Sequence, residues 1–422
     1  MTDDPLPKSR IFNYENAVLI MMSAANGVLA LDRGVINFLS DPIVKELHLS
    51  NTQLGLFSSA LSIAVAFSGL FLASLADSTG MRKLIQLISL TLFSLLSASS
   101  GLAMGFMTLF IARLVMGLAE GPILPIGQSI MSIVSSPERR GFNMGFMQAV
   151  GAYGIGLIMG PIVFTQIGEA FGWRVGFFLS GVPGLLSAIA IALWVKPLPQ
   201  AAIKQVAEEA KEERAHPLEL FKSSNMVLCM AISGLLSAWL IVQGVFMQRY
   251  LVNLDGMKLT DTGFLISATG IGGLIGGTVF PGLSDWIGRK PTLLLGCLGG
   301  ALAPLAVIMI HGSFMLLAAG LFVGWLIGGA AGPLYVAIIP TESVSPRLSA
   351  TAVAVSLAFG EIIGGVIAPA AAGRLADATT LAAPFWISFG CAIAAAVLTL
   401  FLSETAPRKV NGRSAAQGAL GT

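Results

Sequence analysis

Twelve apolar stretches, each long enough to cross about 30 Å of hydrocarbon, fill most of this 422-residue chain. They run over residues 17–39, 53–76, 84–104, 106–134, 142–167 and 175–195, then 225–248, 262–284, 291–311, 313–339, 349–373 and 382–402. Lipid offers backbone N–H and C=O groups no partners, so stretches of this length read as helices. The expected fold is therefore an all-α membrane protein of twelve transmembrane helices. Only 11% of the residues are charged, against about 25% in a soluble domain. The 49 glycines and 20 prolines fit membrane helices, which tolerate both.

The chain divides into a tail (1–16), a six-span half (17–195), a polar linker (196–224), a second six-span half (225–402) and a C-terminal tail (403–422). Within the linker, AIKQVAEEAKEERA reads as a short surface helix. Placing the N-terminus in the cytoplasm puts seventeen Lys and Arg residues on that side and leaves five on the other: Lys45, Arg174, Arg249, Lys258 and Arg374. The positive-inside rule then predicts both termini inside, as in a protein of a bacterial inner membrane. The first apolar run is long enough to be expected as a retained helix rather than a cleaved signal peptide.

The two halves echo each other. LADSTGMRK (75–83) matches LSDWIGRKP (283–291), and Asp77 and Asp285 stand 208 residues apart. Pro125 and Pro333, Pro161 and Pro369, and Phe177 and Phe385 keep that offset. An offset held from the second span of each half to the last is an internal duplication. Two six-helix halves related by a parallel repeat are the arrangement of major facilitator transporters.

Several function classes are excluded. No basic patch carries interleaved aromatics, so no nucleic-acid partner is expected. Cys229, Cys297 and Cys391 lie far apart in apolar stretches, and His48, His216 and His311 lie near span ends or in a loop. No metal, cofactor or enzymatic nucleophile is expected from them. The glycine runs GIGGLIGG (270–277) and GGAAGP (328–333) suit close helix approach and lack the strand–loop–helix setting of a nucleotide site.

Over nearly its full length the sequence resembles the major facilitator superfamily. That family's loop signature, D-x-x-G-x-R-K, is Asp77, Gly80, Arg82 and Lys83 here, with a copy at Asp285, Gly288, Arg289 and Lys290. Ala73 and Pro281 replace the usual leading glycine, and Ser78 and Trp286 replace a basic residue. These positions are expected to anchor or gate, with a carboxylate capping a neighbouring helix N-terminus. ALDRGVIN (30–37) and ARLVMGLAEGPILP (112–125) resemble the first- and fourth-helix motifs of the anion:cation symporter branch, which includes sialin-like carriers. The resemblance implies an organic-anion substrate, proton coupling, and a central cavity lined by the first, fourth, seventh and tenth helices.

Asp32, Arg33, Arg113 and Glu120 lie inside apolar spans, where charge costs several kcal/mol, about 2.5–3.5 on the lowest scales, and marks function. At 1.5 Å per residue, Arg33 and Arg113 both lie about 10 Å below the outer boundary. Arg113 and Glu120, seven apart, share a helix face. Arginine offers a carboxylate a bidentate fork that stays charged, so Arg33 is the expected substrate ligand, with Arg113 a second substrate-binding candidate that also tunes Glu120. A carboxylate in a low-dielectric setting is the group suited to take up and release a proton. Asp32 and Glu120 are the candidate proton carriers, and Glu361, where relatives carry a neutral polar residue, is a candidate for coupling or substrate contact. Gln128, Gln148, Tyr153, Trp239, Gln243 and Tyr335 are candidates to complete the pocket.

The reading is a monomeric secondary transporter that imports an organic anion, favouring an aromatic or relatively apolar acid, with the proton gradient as driving force. A proton-driven exporter or antiporter is the alternative within this class; a membrane sensor or channel-like protein is the alternative outside it.

Overall fold

The computed structural model describes residues 14–136, 138–196, 217–254 and 256–409. The predicted surface helix of the linker and both extreme tails lie outside the described residues, as does the side chain of Asp77. The first half contains α1 (Tyr14–Phe38), α2 (Asn51–Thr79), α3 (Arg82–Ser99), α4 (Phe106–Val134), α5 (Arg140–Phe171) and α6 (Trp173–Trp194). The second contains α7 (Ser224–Leu254), α8 (Leu259–Ile287), α9 (Arg289–Met309), α10 (Phe314–Glu342), α11 (Thr351–Ala378) and α12 (Ala383–Thr399). Eleven of these helices are long and apolar enough to span a membrane, and α12 is a shorter apolar helix.

The loop signature works through its glycines and lysines. Gly80 (φ 70°) ends α2 and Gly288 (φ 117°) ends α8 in backbone conformations that a Cβ disfavours. Beyond each glycine, a lysine reaches the last carbonyls of another helix. Lys83 Nζ donates to Ala192 O (2.9 Å) and Val195 O (2.5 Å) behind α6, and Lys290 Nζ donates to Leu400 O (2.6 Å) behind α12. Cations at helix C-termini are favourable there. The expected cap by the signature aspartate differs in the second copy. Asp285 pairs instead with Arg289, one turn along (2.7 Å), which also binds Glu342 (2.9 Å). Glu404 takes over the first N–H groups of α9, accepting from Arg289 N at 2.7 Å and Lys290 N at 3.3 Å.

α1 is the most enclosed span, with 78% of its apolar window buried. Its charges are therefore inside the bundle rather than towards lipid. Breaks and π-helical turns shape the interior, in α10 as well, where a π-helical turn spans Leu334–Ile338. α4 is interrupted at Gly121–Pro122, directly after Glu120. α5 and α11 widen into π-helical turns at Ala149–Met159 and Glu361–Ile367, a distortion that re-aims side chains at functional sites. Tyr153 and Glu361 sit in these two turns at the 208-residue repeat offset.

Hydrogen bonds between the halves gather at the end of the bundle away from the termini, termed the distal end. Ser40 Oγ donates to Gln248 Oε1 (2.7 Å), Arg249 pairs with Asp41 (3.4 Å), and Arg249 Nε donates to Asn51 Oδ1 (2.8 Å).

Candidate functional site

Asp32 and Arg33 are adjacent on α1, so their side chains leave the helix about 100° apart. They consequently serve different partners. Arg33 Nε donates to Glu120 Oε1 on α4. Asp32 faces the packed interior, where it is 0% exposed and accepts from Ser97 Oγ on α3 and Ser180 Oγ on α6 (3.0 Å). Arg113 Nη1 reaches the same carboxylate at 3.5 Å, and its guanidinium lies 4.9 Å from the Phe177 ring centroid. The pairing is thus crossed between α1 and α4. The hydrogen-bond partner of Arg113 is therefore Asp32, and its charge also acts on Glu120, which Arg33 engages directly.

Accessibility separates the two pairs. The Arg33 side chain is 39% accessible while its partner Glu120 is 1% accessible. Arg113 and Asp32 are 1% and 0%. Arg33 is therefore the cation of this group that a solute can reach, and Arg113 is sealed in. Neither pair is fully satisfied: Glu120 Oε2 and Arg113 Nε and Nη2 are buried without hydrogen-bond partners.

The other candidates divide. Gln148 is exposed and accepts from Asn26 Nδ2 (3.4 Å), which also donates to Met147 O (3.1 Å). Tyr153 and Tyr335 line one cleft with Trp239, Trp325, Gly296, Gly300, Gly328 and Gly332. In that cleft the two indoles lie 5.0 Å apart, and Trp239 Nε1 donates to Gly300 O (2.9 Å). Gln243 is fully buried and donates to Trp239 O (2.9 Å), while its Oε1 is buried without a hydrogen-bond partner. Gln128 is exposed. Glu361 is partly buried, with Oε2 buried and unpartnered, and it interacts electrostatically with Arg33 and Glu120. Sequence reasoning missed Asn26, Ser97, Ser180 and Trp325. Asn26 lies seven residues before Arg33 on α1, and this shared face was the available signal. Among the described residues no cluster of His, Cys, Asp and Glu is placed to hold a metal.

The four crossed charges belong to the first half, and Glu361 is the second half's contribution. At the repeat offset, Asp32, Arg33, Arg113 and Glu120 correspond to Leu240, Ile241, Leu321 and Gly328. At those four places the second half carries three aliphatic side chains and a glycine.

The family model of the Major Facilitator Superfamily matches residues 22–362. The chain belongs to that superfamily. It is a multi-pass membrane transporter and not an enzyme. It is 27% identical to the hexuronate transporter of Bacillus subtilis (strain 168), covering 91% of this chain and 93% of that one. It is 24% identical to the cis,cis-muconate transport protein of Acinetobacter baylyi (strain ATCC 33305 / BD413 / ADP1), covering 88% and 91%. The fold matches a bacterial homologue of the human lysosomal transporter Spinster in its inward-facing, unoccupied conformation. The TM-score is 0.72 at 19% identity, over 92% of this chain and 95% of that one. It also matches the D-xylose–proton symporter, with a TM-score of 0.74 at 16% identity over 94% and 99%.

Proposed function

We propose that this transporter imports an organic anion together with protons across a bacterial inner membrane, with both termini cytoplasmic. The observation that carries the reading is the Arg33–Glu120 pair, in which the arginine is accessible and the glutamate is buried. An incoming carboxylate competes with Glu120 for the Arg33 fork. Protonation of Glu120 removes the competitor, so proton and anion load together. Return of the empty carrier restores the internal ion pair, which takes the place of the cargo's charge. Glu361, on α11 of the opposite half, adds a second carboxylate near the same cation and links substrate charge to the closure of the two halves.

Related carriers of hexuronate and cis,cis-muconate support an organic acid as cargo. The distal ties, and the likeness to a structure in an inward-facing conformation, support a cavity open towards the cytoplasm. Trp239, Trp325, Tyr153 and Tyr335 offer ring faces to the uncharged body of the acid, which favours aromatic or relatively apolar carboxylates. Purified protein in liposomes, screened with labelled carboxylates under an imposed pH gradient, tests the reading. Uptake driven by an acidic exterior is expected, and uptake of no carboxylate contradicts it.

A further inference from the structure

The distal closure obeys the repeat to the residue. Ser40 and Gln248 bond to each other, as do Asp41 and Arg249, and each pair is separated by 208 positions. Residues that occupy equivalent places in the two halves thus touch, which puts the pseudo-two-fold axis between them. Equivalent contacts flank that axis. Ser59 Oγ on α2 donates to Val366 O on α11 (2.6 Å), and Ser267 Oγ on α8 donates to Ile158 O on α5 (2.9 Å). Gly55 lies against Pro369 O, and Gly263 lies against Pro161 O in the same way. A Cβ on Gly263 would stand 2.7 Å from that oxygen. The glycines let the helix pairs α2–α11 and α5–α8 meet backbone to backbone.

Two acidic residues complete the pattern. Asp377, at the end of α11, accepts from the Asn51 and Thr52 backbone N–H groups (2.8 Å each), from Asn51 Nδ2 (2.9 Å) and from Thr52 Oγ1 (2.6 Å). These groups form the first turn of α2. Glu169, 208 positions earlier at the end of α5, accepts from Thr260 N in the first turn of α8 (2.9 Å). Lys258, at the N-cap of α8, supplies no side-chain cap of its own. Each half therefore places a carboxylate on the orphan N–H groups and positive dipole end of a helix in the other half. Opening the distal end removes both caps at once and hands those N–H groups to water.

We infer that Glu169 and Asp377 are positioning residues of the transport cycle, a reciprocal pair of trans-acting helix caps that holds the distal gate closed. Each cap is exposed and individually modest. The two act on separate helices and are additive, so together they bias the equilibrium between the distal-closed and distal-open states. This bias does not depend on what is carried or on which ion drives it.

Spin labels at Met104→Cys and Met315→Cys, two highly exposed distal positions in opposite halves, report the gap directly by pulsed electron paramagnetic resonance. The background carries Cys229, Cys297 and Cys391 replaced by serine or alanine. Asp377→Ala is expected to raise the open-to-closed ratio about tenfold and Glu169→Ala about threefold, within the range for lost caps. The double variant is expected to show the product of the two, as independent sites do. Where Asp377→Ala gives no monodisperse protein, Glu169→Ala and Asp377→Asn carry the test, each with a smaller shift in the same direction. Distance distributions that superimpose on the parent in variants that fold would overturn the assignment.

Discussion

Arg33 on α1 and Glu120 on α4 form an ion pair whose two members differ sharply in access, 39% against 1%. Beside it, Asp32 and Arg113 form a second pair with no access at either member. One helix thus feeds two adjacent charges into two environments, one facing solute and one sealed. Desolvation makes the sealed pair costly to break; in the facing pair the accessible arginine can meet another anion, and the buried glutamate needs a proton when it does.

In the proposed cycle the facing pair sets anion affinity. Truncating one partner of a close charge pair costs about 2–5 kcal/mol, so Arg33→Ala is expected to weaken substrate binding by at least about thirtyfold. Arg33→Lys, which keeps the charge and loses the fork, is expected to fall between. Binding measured on purified protein checks this, and unchanged affinity in Arg33→Ala removes Arg33 from the site.

The sealed pair sets stability. Asp32 holds Ser97, Ser180 and Arg113 at one point where α1, α3, α4 and α6 meet. Arg113→Ala leaves Asp32 without its cation and is expected to destabilise by about 3–5 kcal/mol, seen as a lowered unfolding temperature in detergent. Arg33→Ala, at a more accessible position, is expected to shift that temperature less.

The distal seam tolerates no side chain at its tightest crossings. Gly263→Val is expected to keep the halves apart at that end, because its Cβ meets Pro161 O on the neighbouring backbone. Folded protein with uptake lost, and with a cysteine introduced at the distal seam accessible to an impermeant thiol reagent, is the expected result. Normal uptake in Gly263→Val argues against close approach of α5 and α8 during the cycle.

The architecture was legible because its signals are long. Helices of twenty or more apolar residues and a 208-residue offset survive any local ambiguity, and the loop signatures mark where α2 and α8 end. Arg33 was legible for a related reason: charge in a span is rare. The crossed pairing was not legible. Which of two adjacent charges faces a cavity depends on the rotation of α1 within the bundle, and tertiary packing sets that rotation. Ser97 and Ser180 were invisible because serine costs little in a membrane helix and recurs throughout this chain. Trp325 gave no signal of its own; its place opposite Trp239 follows from glycines at Gly300 and Gly328 that let α7, α9 and α10 close together.

The central claim is that Glu120 trades its arginine for a proton as the anion arrives. Uptake into liposomes, with and without an acidic exterior, compares the parent with Glu120→Gln most directly. The parent is expected to accumulate its carboxylate only when the gradient is present. Glu120→Gln is expected to equilibrate substrate or exchange it at similar rates under both conditions, because its Arg33 is permanently released. Gradient-driven accumulation that survives intact in Glu120→Gln would contradict the account.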